Sequence, residues 1–123
     1  SYAGLKTVFD LGDSFFISKK QGLNDLLRLS QQGEDEFGLF NYLANYCRTI
    51  LTAKYYAEKK QPIPAAHKIH PYVVKKATAV SKNLSLNQLI SKFKNFFEED
   101  WKIKTGLSKP RESLEKILLS EQK

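Results

Sequence analysis

Apolar residues recur at intervals of three and four through most of this 123-residue chain, the period of a helix with one buried face. Val8, Phe9, Leu11, Phe15 and Phe16 mark a short opening helix, with Thr7 as its cap. Leu23, Leu26, Leu27 and Leu29 mark a second helix, stopped by Gly33. Phe37, Phe40, Leu43, Cys47, Ile50 and Leu51 mark a long third helix over residues 34–60. Its acids, Glu34, Asp35 and Glu36, stand at the positive end of the helix dipole, and Lys59 and Lys60 stand at the negative end.

The run Gln61-Pro62-Ile63-Pro64 breaks that helix, because proline lacks an amide donor and clashes with the preceding turn. A short turn of helix over residues 65–69 follows. Pro71 then suits the first turn of a fourth helix running to about residue 82, with Val74, Ala77 and Val80 inward. Ser85-Leu86-Asn87-Gln88 is a capping box, in which serine and glutamine satisfy free backbone donors reciprocally. Leu86, Leu89, Ile90, Phe93, Phe96, Phe97 and Trp101 carry the fifth helix to Gly106, a left-handed cap. Lys109-Pro110 opens a sixth, with Leu114, Ile117 and Leu118 inward. No segment alternates as a strand does. The pattern predicts one all-α domain, a bundle of about five to six helices.

Hydrophobic residues at 41% and charged residues at 27% are ordinary for a globular domain. No apolar run reaches the roughly 18 residues of a membrane span, and no signal peptide is visible. The lone cysteine, Cys47, has no internal disulfide partner and reads as a buried thiol in a reducing cytosol. Methionine is absent, so the expectation is a fragment excised from a longer protein.

Charge changes the picture more. Of a net +7, residues 54–82 hold +6, from seven lysines against Glu58 alone. A basic stretch of this kind suits a polyanion or a plain solvated surface. Lys75, Lys76 and Lys82 are the candidates for contact with DNA phosphates. The segment around them also suggests a helix-turn-helix, and hence the alternative of a free-standing basic nucleic-acid-binding module. Its second helix, however, offers no Arg, Gln or Asn in its first turns to read bases.

Candidate chemistry is thin. Lys104-Thr105-Gly106 is a K-T-G and Ser91 to Lys94 is an S-x-x-K, as in class A β-lactamases and penicillin-binding proteins. Both lie in one continuous helical stretch, no S-D-N accompanies them, and the chain is too short for that fold. His67 and His70 lack partner ligands for a metal. Glu98, Glu99 and Asp100 fan over different helix faces and read as a solvated surface. No phosphate-cradling glycine loop is present. The reading is no catalytic residue, no cofactor and no metal.

Four stretches, HPYVVKKA, LSLNQLISKF, EEDWKIKTG and PRESLEKILL, resemble in order the C-terminal region of the delta subunit of bacterial DNA polymerase III. VFDLGDSF resembles that family's entry into the domain. Ile117 stands where leucine is usual, and Trp101 is bulkier than the usual aliphatic residue. The resemblance implies a helical collar domain, carried behind two AAA+-like domains in a bacterial, cytoplasmic protein. It implies partners too: the other clamp-loader subunits, gamma/tau and delta prime, through the collar, and the sliding clamp through the N-terminal domain, which this sequence does not include. A collar must bury one side in its own core and another against neighbours. Tyr42, Tyr46, Tyr55, Tyr56, Phe96 and Trp101 are the candidate subunit interface.

Overall fold

A computed structural model describes residues 6–120. Among them are six α-helices and no strand: α1 (Val8–Phe15), α2 (Lys19–Gln31), α3 (Glu36–Glu58), α4 (Pro71–Ser81), α5 (Leu86–Lys104) and α6 (Pro110–Leu119). A three-residue 3-10 turn, Ala65–His67, lies between α3 and α4. The all-α bundle read from the sequence is therefore the observed fold.

Side chains fix where most helices begin. Thr7 and Asp10 form a capping box at α1, and Ser85 and Gln88 form another at α5. Ser18 caps α2 by accepting from the Gln21 amide. Asp35 caps α3 by accepting from the Phe37 amide, so α3 begins at Glu36 rather than Glu34. His70 caps α4 through Nδ1, which accepts from the Tyr72 amide at 3.1 Å, and Pro71 supplies the first helical position.

Three helices end in the same hydrogen-bonded turn. At α5 the Leu107 amide donates to the Lys102 carbonyl at 2.8 Å and the Gly106 amide to Ile103 at 3.2 Å, with Gly106 at φ +78°. Gly33 closes α2 in the same way. At α3 the left-handed residue is Lys60, at φ +55°, where a side chain strains against the backbone.

α3 is the hub, packed against α1, α4, α5 and α6, while α2 pairs with α1 and is closed from the other side by α6. Phe40 of α3 meets Phe96 of α5 with ring centroids 5.5 Å apart, and Phe15 and Phe16 close the cluster from α1. Leu11, Leu26, Leu43, Ile50, Leu89 and Leu114 are fully buried around them. Each large side chain so buried contributes roughly 1.5–3 kcal/mol relative to exposure. Two glycines permit the close approaches. A Cβ on Gly12 would lie 2.8 Å from the Tyr42 hydroxyl, and one on Gly22 would lie 2.9 Å from Leu118 Cδ1 and 3.2 Å from the Phe15 backbone.

Candidate functional site

The K-T-G is the end of α5 and nothing more convergent. Thr105 Oγ1 donates to the Trp101 carbonyl at 2.9 Å, and Lys104 pairs with Asp100 at 2.8 Å one turn earlier. Lys92, from the formal S-x-x-K, points into the bundle instead and donates to the Ile117 carbonyl at 3.3 Å. Cys47 is buried, and burial pushes its thiol up to about 12, which leaves it protonated and unreactive. His67 packs its ring on Tyr56, with centroids 5.7 Å apart, and His70 is engaged as the α4 cap.

The sequence pattern makes Glu98, Glu99 and Asp100 a solvated face, and the structure corrects that for Glu99. It is 3% exposed and accepts from Ser113, Lys102 and Lys116. Burial pushes its pKa up, but those three partners together pull harder and hold it below the ordinary glutamate value. The result is a structural tie between α5 and α6.

The six aromatic interface candidates divide. Trp101 is 59% exposed, and Tyr55 faces outward with Lys59 Nζ 4.6 Å above its ring. Tyr42 and Tyr56 are half-buried. Phe96 and Tyr46 are buried in the chain's own core, where their rings meet Phe40, Phe15 and Phe16. As candidates for a subunit interface those two therefore contribute mainly to the chain's own core. In their place the structure exposes Phe97 at 76%, one turn before Trp101 on α5. Between α3 and α5, beside Phe97, runs a groove of about 370 Å³ flanked by Asn41, Asn45, Arg48 and Lys104.

The three lysines also divide. Lys75 and Lys82 are exposed and seven residues apart, two turns along one side of α4. Lys76 turns the other way and pairs with Asp13 of α1 at 2.9 Å. That carboxylate holds the Lys76 ammonium above the ordinary lysine value. The stretch before α4 is too short to be the first helix of a helix-turn-helix, while α4 itself buries Ala77 and Val80 against the bundle.

The described residues form an all-α bundle with large rings exposed on α5 and lysines exposed on α4. Residues 6–120 match the DNA polymerase III delta subunit, C-terminal domain, and the chain belongs to that family. It is similar to the Bacillus subtilis DNA clamp loader delta protein (YqeN), at 27% identity and a TM-score of 0.79. The similarity covers 91% of this chain and 34% of that one, so the chain spans about a third of the solved relative. Among curated protein sequences there is no significant match. No helix among the described residues is long and apolar enough to cross a membrane.

Proposed function

We propose that this chain is the collar domain of a clamp-loader delta subunit. In this reading it holds the subunit in the multi-subunit loader that opens the sliding clamp and places it on primed DNA. The observation that carries this is the family match over residues 6–120, which takes in every helix of the fold. The likeness to a DNA clamp loader delta protein over 91% of the chain supports it. The domain then follows AAA+-like domains in a longer cytoplasmic protein, and its partners are the gamma/tau and delta prime subunits. It performs no catalytic step itself. Exposed rings such as Trp101, Phe97 and Tyr55 supply large contact area at low entropic cost, as an assembly surface requires.

The test is assembly. Full-length protein is mixed with its companion loader subunits, with and without residues 6–120, and the complexes are sized by sedimentation velocity. The intact protein should enter one complex of defined stoichiometry, and the deleted protein should remain free. A complete loader formed without residues 6–120 would overturn the assignment.

A further inference from the structure

A cavity of about 230 Å³ lies where the link from α1 to α2, the first turns of α5 and the end of α6 meet. Phe15, Phe16, Leu84 and Leu118 give it apolar walls, and Ser18, Lys19, Gln88 and Lys92 give it polar ones. None of the described residues that line it is an acid, and two are lysines. Ser18 and Lys19 also bring the positive end of the α2 dipole to the wall. Positive charge therefore reaches the cavity from α2 and from α5.

Lys92 is the independent sign. It is 5% exposed, a burial that lysine rarely reaches without a partnering charge. Its ammonium has three protons to donate, and among the described residues the Ile117 carbonyl accepts one of them at 3.3 Å. Burial lowers its pKa, and Lys19, a second cation, lowers it further. A buried cation answered by a neutral carbonyl, on the wall of a cavity, is an arrangement that an anion completes. Gln88 stands one turn earlier on α5 and lines the same cavity. Its Oε1 accepts from the Ser85 amide at 2.8 Å, which leaves its NH₂ group to donate elsewhere. The apolar walls narrow the class of anion. Inorganic phosphate would set bare oxygens against Phe15, Phe16 and Leu118. A carboxylate with a short apolar tail suits both kinds of wall, and the volume lies below the roughly 300–1,000 Å³ of pockets for drug-sized ligands.

We propose that this cavity binds a small monocarboxylate with a short apolar tail, the carboxylate held by Lys92 and the Gln88 side-chain amide and the tail laid against Phe15, Phe16 and Leu118. The site is independent of the exposed rings of α5 and of the assembly reading.

Equilibrium dialysis of full-length protein against radiolabelled hexanoate tests it. One equivalent should bind saturably, with a Kd of about 1 mM or tighter. Acetate, the same carboxylate without the tail, should bind about tenfold more weakly or worse, since each buried methylene is worth about fourfold. Lys92→Met should weaken hexanoate binding by about tenfold or more with no fall in the melting temperature, which separates lost binding from lost folding. Gln88→Glu keeps the capping box with Ser85, because glutamate fills that position as glutamine does, but puts a like charge on the wall. It too should weaken binding by about tenfold or more. No saturable binding by the intact protein, or wild-type affinity in either variant, overturns the proposal. Equal affinity for acetate and hexanoate, or displacement of hexanoate by equimolar inorganic phosphate, overturns the class of ligand. Binding seen only in Glu121→Gln overturns it as well, by giving the Lys92 ammonium to a carboxylate of the chain itself.

Discussion

Ser113 of α6 donates to the buried carboxylate of Glu99 on α5 at 2.8 Å, inside a contact closed by Lys102 and Lys116. The carboxylate is charged, almost fully enclosed and fully partnered, which is the condition under which a buried charge is tolerated.

Removing that carboxylate should therefore loosen α6. Glu99→Ala is expected to lower stability by about 2 kcal/mol, from the loss of hydrogen bonds to a charged group. Glu99→Gln should lose less. The sign with pH follows from the lowered pKa. A carboxylate whose folded pKa lies below its unfolded value stabilises the fold above the unfolded value and loses that contribution as pH falls through the folded one. Stability should decline below about pH 4.3, the ordinary glutamate value. The decline should be shallower in Glu99→Gln, as denaturant melts at several pH values would show.

Lys92 should behave in the opposite sense. It is 5% exposed, and burial lowers its pKa, while among the described residues the Ile117 carbonyl accepts from Nζ. The folded chain then holds this proton less tightly than the unfolded chain. Its contribution to stability should rise with pH, from the lowered value up to the ordinary lysine value of about 10.4. Lys92→Met keeps the length of the side chain without the charge and should stabilise the domain by about 1–3 kcal/mol at neutral pH. A lower melting point for Lys92→Met would mean that the ammonium holds more of the structure than one carbonyl.

The left-handed caps give a matched pair. Lys60 occupies a backbone conformation that glycine adopts freely, so Lys60→Gly should stabilise by about 0.5–1 kcal/mol. Gly106 is the reverse case. A Cβ there meets nothing within 4 Å, so Gly106→Val should lose about 1–2 kcal/mol through the backbone alone. Lys104→Ala, which breaks only the exposed pair with Asp100, should change stability by less than about 0.5 kcal/mol. Three thermal melts decide the matter. Equal melting of Gly106→Val and the parent would contradict the cap.

The exposed α4 lysines should contribute weak, sequence-indifferent DNA binding. Lys75→Ala and Lys82→Ala should each reduce the slope of log affinity against log salt by about 0.9, if each neutralises one phosphate. Lys76→Ala should change that slope less, because Asp13 already holds its charge. Fluorescence anisotropy at a series of salt concentrations reads this directly. Slopes unchanged by Lys75→Ala and Lys82→Ala would leave both lysines as plain solvated surface.

The helices were legible because their ends are written in local chemistry. The Thr7 cap, the Ser85–Gln88 box, Pro71, Pro110 and the terminal Gly106 all act within one turn, and each stands where the sequence puts it. The Ser18 cap was written as plainly, with Gln21 three residues on, but the hydrophobic pattern around it is too sparse to draw attention. Which aromatic faces inward was not legible. Phe96 and Phe97 are neighbours on one helix, yet one is 2% exposed and the other 76%. Large rings stand on the outward side of α5 as well as the inward one, so apolar character alone does not say which is buried, and only the contacts decide. Glu99 and Lys92 were hidden for a related reason. Their burial depends on Ser113 and Ile117 of α6, which the spacing on α5 does not reveal.

Leu118 reaches Gly22, so the last helix of the domain rests on the second. The two ends of the described chain are thereby packed against each other, which ties α1 and α2 to α6. Unfolding should be a single cooperative event, and amide hydrogens of α2 and α6 should exchange by the same opening. A domain built this way transmits a load applied at either end through its whole core, and responds to such a load as a rigid joint rather than a tether.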